Sequence, residues 1–280
     1  MVRVGTSGWH YPSDKGTWNG PFYPKPRPRG FDELRFYADR FDTVEVNATF
    51  YRQPEAAMSR KWLDRTPASF LFSLKLYQKF THPEMFLKRP GASDWDISLG
   101  DIDEFRAGLE PMASAGRLGA LLMQFPPSFH NEPTTAAYLT WLLDAFRDYP
   151  RAVELRHASW DGATIVEEAG ATRVLQDEPF AQLSATGLPA HRLTSSLVYI
   201  RMHGRNKEQW WEHERSEDRY NYLYSAEELQ PVADFAKEEA ALEKRVLVYF
   251  NNHFSAKAVA NADILKNQVG QLAPTWELRP

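Results

Sequence analysis

Eight short apolar runs recur along this chain, and each closes on a polar side chain. They are Val2–Ser7, Thr43–Asn47, Leu71–Lys75, Leu118–Gln124, Ala152–Arg156, Arg173–Asp177, Val198–His203 and Val246–Asn251. Successive side chains of a strand point to opposite faces. One face here is apolar, as in Val44 and Val46, Phe72 and Leu74, Val153 and Leu155, Ile200 and Met202. The other collects Glu45 and Asn47, Ser73 and Lys75, Gln124, Glu154 and Arg156, Asp177, Arg201 and His203, and Asn251. If the strands close into a barrel, this second face points inward and gathers acids and bases at one mouth. Core packing alone does not favour that, because buried charges are costly unless paired. A binding or catalytic site does.

Helical segments alternate with the runs. Phe31–Phe41, Ala56–Arg65, Asp101–Ala115, Thr134–Phe146, Gly162–Glu168, Ala226–Lys244 and Ala256–Leu272 are expected as helices. Ser225 and Glu228 fit a capping box. Strand–helix alternation predicts a parallel sheet with helical crossovers. Eight such units favour an α/β (β/α)8 TIM-like barrel over an open doubly wound sheet. The expectation is a single domain over residues 1–280, with three long connections, 8–30, 76–100 and 204–225, at the C-terminal face. His82 and Trp95 lie in the second, Arg205 and Tyr220 in the third. No dinucleotide fingerprint follows the first run, and no Walker-type phosphate loop is present.

Composition excludes several chemistries. There is no cysteine, so disulfides, thiolate metal sites and a cysteine nucleophile are ruled out. The formal charge of -4 and a pI of 6.1 give no global pull toward nucleic acid or anionic lipid. No apolar run approaches the ~18–20 residues that span a bilayer. Residues 1–8 already read as a strand rather than a targeting segment, so the expectation is a cytoplasmic protein without a membrane partner. Aromatic residues are abundant, and many fall in the first and third long connections, where they either pack loops or stack on a ligand.

Ordered motifs carry a family resemblance. Gly5-Thr6-Ser7-Gly8-Trp9 is followed by Phe22-Tyr23-Pro24, then Thr43–Asn47 with Thr49-Phe50-Tyr51-Arg52. Phe72-Ser73-Leu74-Lys75 with Thr81-His82 comes next, then Gln124-Phe125-Pro126-Pro127 and Glu154-Leu155-Arg156-His157 with Ser159-Trp160. Arg201-Met202-His203-Gly204-Arg205 and Tyr249-Phe250-Asn251-Asn252 complete the set. Together they resemble the YecE-like TIM-barrel family (domain of unknown function 72) over nearly the whole chain. The resemblance implies a TIM-like barrel and supplies no activity.

The residues themselves suggest the chemistry. Glu45, Lys75, Glu154 and His203 are the catalytic candidates: the two glutamates as acid and base, His203 as a proton shuttle near neutrality, Lys75 as a charge stabiliser or a Schiff-base lysine. Ordinary glycoside hydrolysis is disfavoured, because the fourth and seventh runs end in Gln124 and in Arg201-Met202-His203. Arg52, Arg156, Arg201 and Arg205 suit bidentate capture of phosphate or carboxylate. Asn47, Gln124 and Asn251 would serve hydroxyls or amides. Trp9, Tyr51, His82, His157, Trp160 and Asp177 are further substrate-binding candidates. No cofactor is assigned: Glu45, His82, Glu154, Asp177 and His203 could ligate a divalent metal, but there is no HExxH, and neighbouring cations can replace the ion. The leading expectation is an enzyme acting on a small anionic, polyhydroxylated, sugar-like or nucleotide-like ligand. A nucleic-acid-binding or endonuclease-like barrel and a non-catalytic ligand-binding protein are the alternatives.

Overall fold

Parallel strands covered on both faces read as continuous buried runs, and the computed structural model of this chain has that character. It describes residues 1–12, 16–89, 96–183, 188, 195–215 and 217–271. The strands are β1 (Val2–Thr6), β2 (Thr43–Val46), β3 (Leu71–Lys75), β4 (Leu118–Gln124), β5 (Arg151–Glu154), β6 (Thr172–Arg173), β7 (Leu175–Asp177), β8 (Leu197–Met202) and β9 (Arg245–Phe250). Every residue of β4 and of β8 is buried. Helices alternate with strands along the chain, the element order of a TIM-like α/β barrel.

Two compact units divide the chain, Met1–Glu45 with Leu175–Pro280, and Val46–Val174. In the first, parallel strands run in the order β1-β9-β8-β7. A parallel bridge between Ser7 and Glu45 brings in β2. Gly5 is required there, because a Cβ at that position would stand 2.2 Å from the Thr43 carbonyl oxygen. In the second unit the order is β3-β4-β5-β6, again parallel.

Caps define the helices. Ser225 and Glu228 form the expected capping box, and Ala226–Ala241 follows it. The helix expected from Asp101 begins earlier, at Leu99, because Ser98 and Asp101 form a second reciprocal cap. The expected run Arg173–Asp177 is two strands. β6 pairs with β5 and β7 with β8, and between them the Val174 N–H donates to the Val153 carbonyl at 2.9 Å. The connection 76–100 carries two short helices, Gln78–Thr81 and Pro83–Leu87. Their four and five residues are too few for a periodic signal. Trp95 lies outside the described residues.

Most first-connection aromatics pack the loop. Trp18 and Tyr23 are fully buried, Phe22 nearly so, and the Trp18 indole donates to the His253 carbonyl at 2.7 Å.

The helix Leu99–Ser114 crosses Ala56–Leu63 closely. Ser59 donates to the Gly108 carbonyl at 2.6 Å, and a Cβ on Gly108 would sit 2.0 Å from the Pro54 carbonyl oxygen. Gly108→Ala should therefore lower unfolding stability by about 1–3 kcal/mol in urea titration. Gly100→Ala, where the added carbon meets only the Ser98 hydroxyl at 3.4 Å, should be neutral or stabilising by up to about 1 kcal/mol.

Candidate functional site

Parallel pairing puts the C-terminal ends of neighbouring strands at one edge of a sheet, so polar residues closing those strands become neighbours. In the Val46–Val174 unit, β3, β4 and β5 end in Lys75, Gln124 and Glu154, with Gln124 and Glu154 in register. Arg156 lies just past β5 rather than in it, and folds back on the buried Glu154. Its Nε and Nη2 stand 2.7 and 2.6 Å from Glu154 Oε1. The Lys75 ammonium lies 4.1 Å from the centre of the Phe50 ring, a cation–π contact. His82 stands edge-on to the same ring.

His82 is held neutral. Gln124 Nε2 lies 3.2 Å from the Phe125 carbonyl and 3.4 Å from His82 Nε2, so the amide donates and Nε2 accepts. The imidazole proton is then on Nδ1, 2.8 Å from Thr81 Oγ1. Its pKa is depressed to about 3, by burial first and then by the positive charges of Lys75 and Arg156, against the opposing pull of Glu154. His82 also lines a cleft of ≈360 Å³ with Thr81, Glu84, Lys88, Ser128 and Phe129.

The remaining candidates of this unit have other work. Trp160 is buried, stacks on Phe129 at 5.2 Å and donates to its carbonyl. His157 caps the turn Ala158–Trp160 through the Ser159 N–H and stacks on His130 at 3.8 Å. Arg52 is 72% exposed and pairs with Glu55, and Tyr51 is exposed. Asn47 begins the helix Ala48–Tyr51, and its side-chain oxygen is buried with no protein partner.

The other unit holds two buried ion-pair clusters. Glu45 on β2 is fully buried and accepts from Arg201 Nη2 at 2.8 Å, Arg201 Nε at 3.0 Å and the Tyr199 hydroxyl at 2.7 Å. That carboxylate pushes the Tyr199 pKa upward, although burial is the larger cause. Asp177, also fully buried, accepts from Arg205 Nε at 2.9 Å and Nη2 at 2.7 Å, from the Tyr224 hydroxyl at 2.6 Å and from the Leu183 N–H at 2.7 Å. Arg205 also reaches Glu228. Arg201 and Arg205 are therefore bound to protein carboxylates rather than presented to solvent. His203 is buried beside Asn251, whose Nδ2 lies 3.0 Å from His203 Nδ1. The ring accepts there and carries its proton on Nε2. Trp9 is half-buried, and its carbonyl accepts from the Tyr23 hydroxyl. Among the described residues no three His, Asp or Glu side chains are grouped to hold a metal ion. No helix there is long and apolar enough to cross a membrane.

Several partners were not among the candidate site residues of the sequence: Phe50 under Lys75, Thr81 on His82, Tyr199 on Glu45 and Tyr224 on Asp177. Tyr199 was accessible, because it is two residues before Arg201 and shares its strand face. Phe50 and Thr81 sit on four-residue helices and Tyr224 lies just before a helix, so none of the three carries a periodic signal.

The family described as "Protein of unknown function DUF72" matches residues 3–279. The chain belongs to the DUF72 family. The YecE-like motifs agree with that membership. The UPF0759 protein YunF of Bacillus subtilis (strain 168) is 29% identical, with 98% of each chain covered. A DUF72 family protein of Thermotoga maritima MSB8 is 34% identical, with a TM-score of 0.75 over 97% of this chain and all of that one. One from Enterococcus faecalis V583 is 24% identical, with a TM-score of 0.77 over all of this chain and 98% of the other. The fold of this DUF72 chain is thus that of solved relatives, an α/β TIM-like barrel.

An imidazole depressed on folding is protonated first in the unfolded chain. The His82 contribution to stability is complete above the unfolded value near 6.5 and drains away as pH falls toward 3. In NMR titration the His82 ring should remain neutral at pH 5, and Lys75→Gln should raise its midpoint. Asp177→Asn should cost about 3–5 kcal/mol in denaturant unfolding, since it breaks a buried pair. Arg52→Ala, at an exposed pair, should cost less than about 1 kcal/mol.

Proposed function

We propose that this chain is a TIM-barrel enzyme that acts on a small anionic, sugar-like or nucleotide-like substrate by acid/base catalysis. The observation that carries this is the field at His82. Lys75 and Arg156 together act on that cleft-lining ring against the single opposing carboxylate Glu154. A positive field beside an open cleft recruits an anion. Such a field also rules His82 out as a proton donor near neutral pH, and leaves it as a neutral hydrogen-bonding group.

Roles follow from chemistry within each unit. Lys75 and Arg156 neutralise the anion and any charge that develops on it. Gln124 and Asn47 bring amides suited to hydroxyls. Glu154 is the acid/base candidate: it is buried, and its hydrogen bonds to Arg156 favour the carboxylate form, the form of a general base. In the other unit, Glu45 is paired with Arg201 and accepts from Tyr199, which suits electrostatic stabilisation better than proton transfer. His203 offers a fixed Nε2–H.

A thermal-shift screen of the purified protein against inorganic phosphate, sugar phosphates, nucleotides, simple carboxylates, a short oligonucleotide and divalent cations tests this. A ligand present at about 100 times its dissociation constant should add about 2.7 kcal/mol of stability. Stabilisation by a small anion that disappears in Arg156→Gln is the expected result. Once a turned-over anion is found, Glu154→Gln should bind it and react at least about 100-fold more slowly. Stabilisation by the oligonucleotide alone would replace the proposal with a nucleic-acid function. Tight anion binding with no product would make the chain a binding protein.

A further inference from the structure

The cleft beside His82 differs in character from the charged strand ends. Pro83, Met85, Pro126 and Phe129 make its apolar walls, and Thr81, His82 and Ser128 are its neutral polar groups. Glu84 and Lys88, both exposed, add one charge of each sign, so the lining carries no net charge. The cations that act on the His82 ring, Lys75 and Arg156, are not part of that lining. His82 thus joins two environments. It feels both cations, and it lines a mostly apolar cleft.

Both walls are preformed. Pro126 begins a turn closed by the Phe129 N–H on the Pro126 carbonyl at 3.0 Å. Phe129 stacks on Phe125 with centroids 4.2 Å apart and on Trp160 at 5.2 Å, and the Trp160 indole donates to its carbonyl at 2.6 Å. On the other wall Pro83 starts the helix Pro83–Leu87, whose Phe86 N–H donates to the His82 carbonyl at 3.0 Å. Met85 on this helix is 45% exposed, a large apolar side chain left uncovered at the cleft. Walls fixed in this way lower the ordering cost of binding. The volume of ≈360 Å³ falls within the range of about 300–1,000 Å³ of small-molecule sites.

This lining discriminates between ligand classes. Each hydroxyl of a sugar ring needs a new partner when it leaves water. Few are on offer, because His82 already bonds Thr81 and Gln124. A flat heteroaromatic ring has less to lose and gains from the apolar area it covers, and a thioether such as that of Met85 contacts aromatic rings favourably. We propose that this cleft takes the base of a nucleotide whose phosphate is held by Lys75 and Arg156. The inference rests on the anion reading above and narrows it, from sugar phosphate or nucleotide to nucleotide. Every residue it uses belongs to the Val46–Val174 unit.

The experiment is isothermal titration of the full chain with ribose 5-phosphate and the four nucleoside 5′-monophosphates, repeated in Ser128→Trp, Met85→Ser and Arg156→Gln. At least one nucleotide should bind about 10- to 100-fold more tightly than ribose 5-phosphate. Ser128→Trp fills the cleft from an exposed position, so the melting temperature should hold while nucleotide and ribose 5-phosphate come to bind alike. Met85→Ser should shrink the margin, and Arg156→Gln should weaken nucleotide and ribose 5-phosphate together. Ribose 5-phosphate binding as tightly as every nucleotide, or a margin unchanged in Ser128→Trp, would overturn the base cleft and leave the anion reading standing. Nucleotide binding lost in Ser128→Trp yet indifferent to Arg156→Gln would overturn the anion reading and the phosphate placement with it. No binding of any of these phosphates would overturn both.

Discussion

A carboxylate removed from water needs a cation and several donors at hydrogen-bonding distance. That demand organises the polar strand ends of this chain. Glu45 meets it with Arg201 and Tyr199, Asp177 with Arg205, Tyr224 and a backbone N–H, and Glu154 with Arg156. The three solutions differ in consequence. Arg201 is almost fully buried, so its pair with Glu45 is closed off. Arg205 links Asp177 to Glu228 and so ties β7 to the helix that Ser225 and Glu228 cap. Arg156 stays partly open to solvent, and its charge acts outward on His82.

The same interaction explains why arginines that look alike in sequence have different prospects as ligand contacts. Arg201 and Arg205 would each have to leave a buried carboxylate to reach an anion, and an unpaired buried charge is expensive. Arg52 is free of that constraint but too exposed to concentrate binding energy. Arg156 combines a fixed geometry with partial exposure, and Lys75 beside Phe50 gives the same region a second cation. Histidines divide similarly. His82 is kept neutral by its surroundings and lines a cleft, whereas His157 stacks on His130 and caps a turn.

Aromatic residues show how far composition alone reaches. Their abundance in long connections suggests either packing or ligand stacking, and sequence does not separate the two. Trp18, Tyr23 and Trp160 are buried and close loops onto the scaffold through ring contacts and hydrogen bonds. Trp210 and Trp211 are adjacent, and one is buried while the other is exposed. No local pattern marks that difference, because it depends on what Tyr220 and Phe180 do elsewhere in the chain.

The strand–helix order, the parallel class and the polar strand ends were legible in the sequence, because alternation, helical periodicity and capping are local properties of a few consecutive residues. Boundaries moved by two residues where a cap or a turn intervened, as at Ser98 and after Glu154, and by three at other ends, as at Ile165, Ala38 and Ala241. The split of one expected strand into β6 and β7 was not legible. It reflects different pairing partners for the two halves, β5 and β8. Nor was the pairing of charges, since Glu45 and Arg201 are 156 residues apart. Sequence determined which acids and bases would stand at the strand ends. Only tertiary structure decided which of them neutralise one another, because that choice depends on distance and burial between strands remote in the chain.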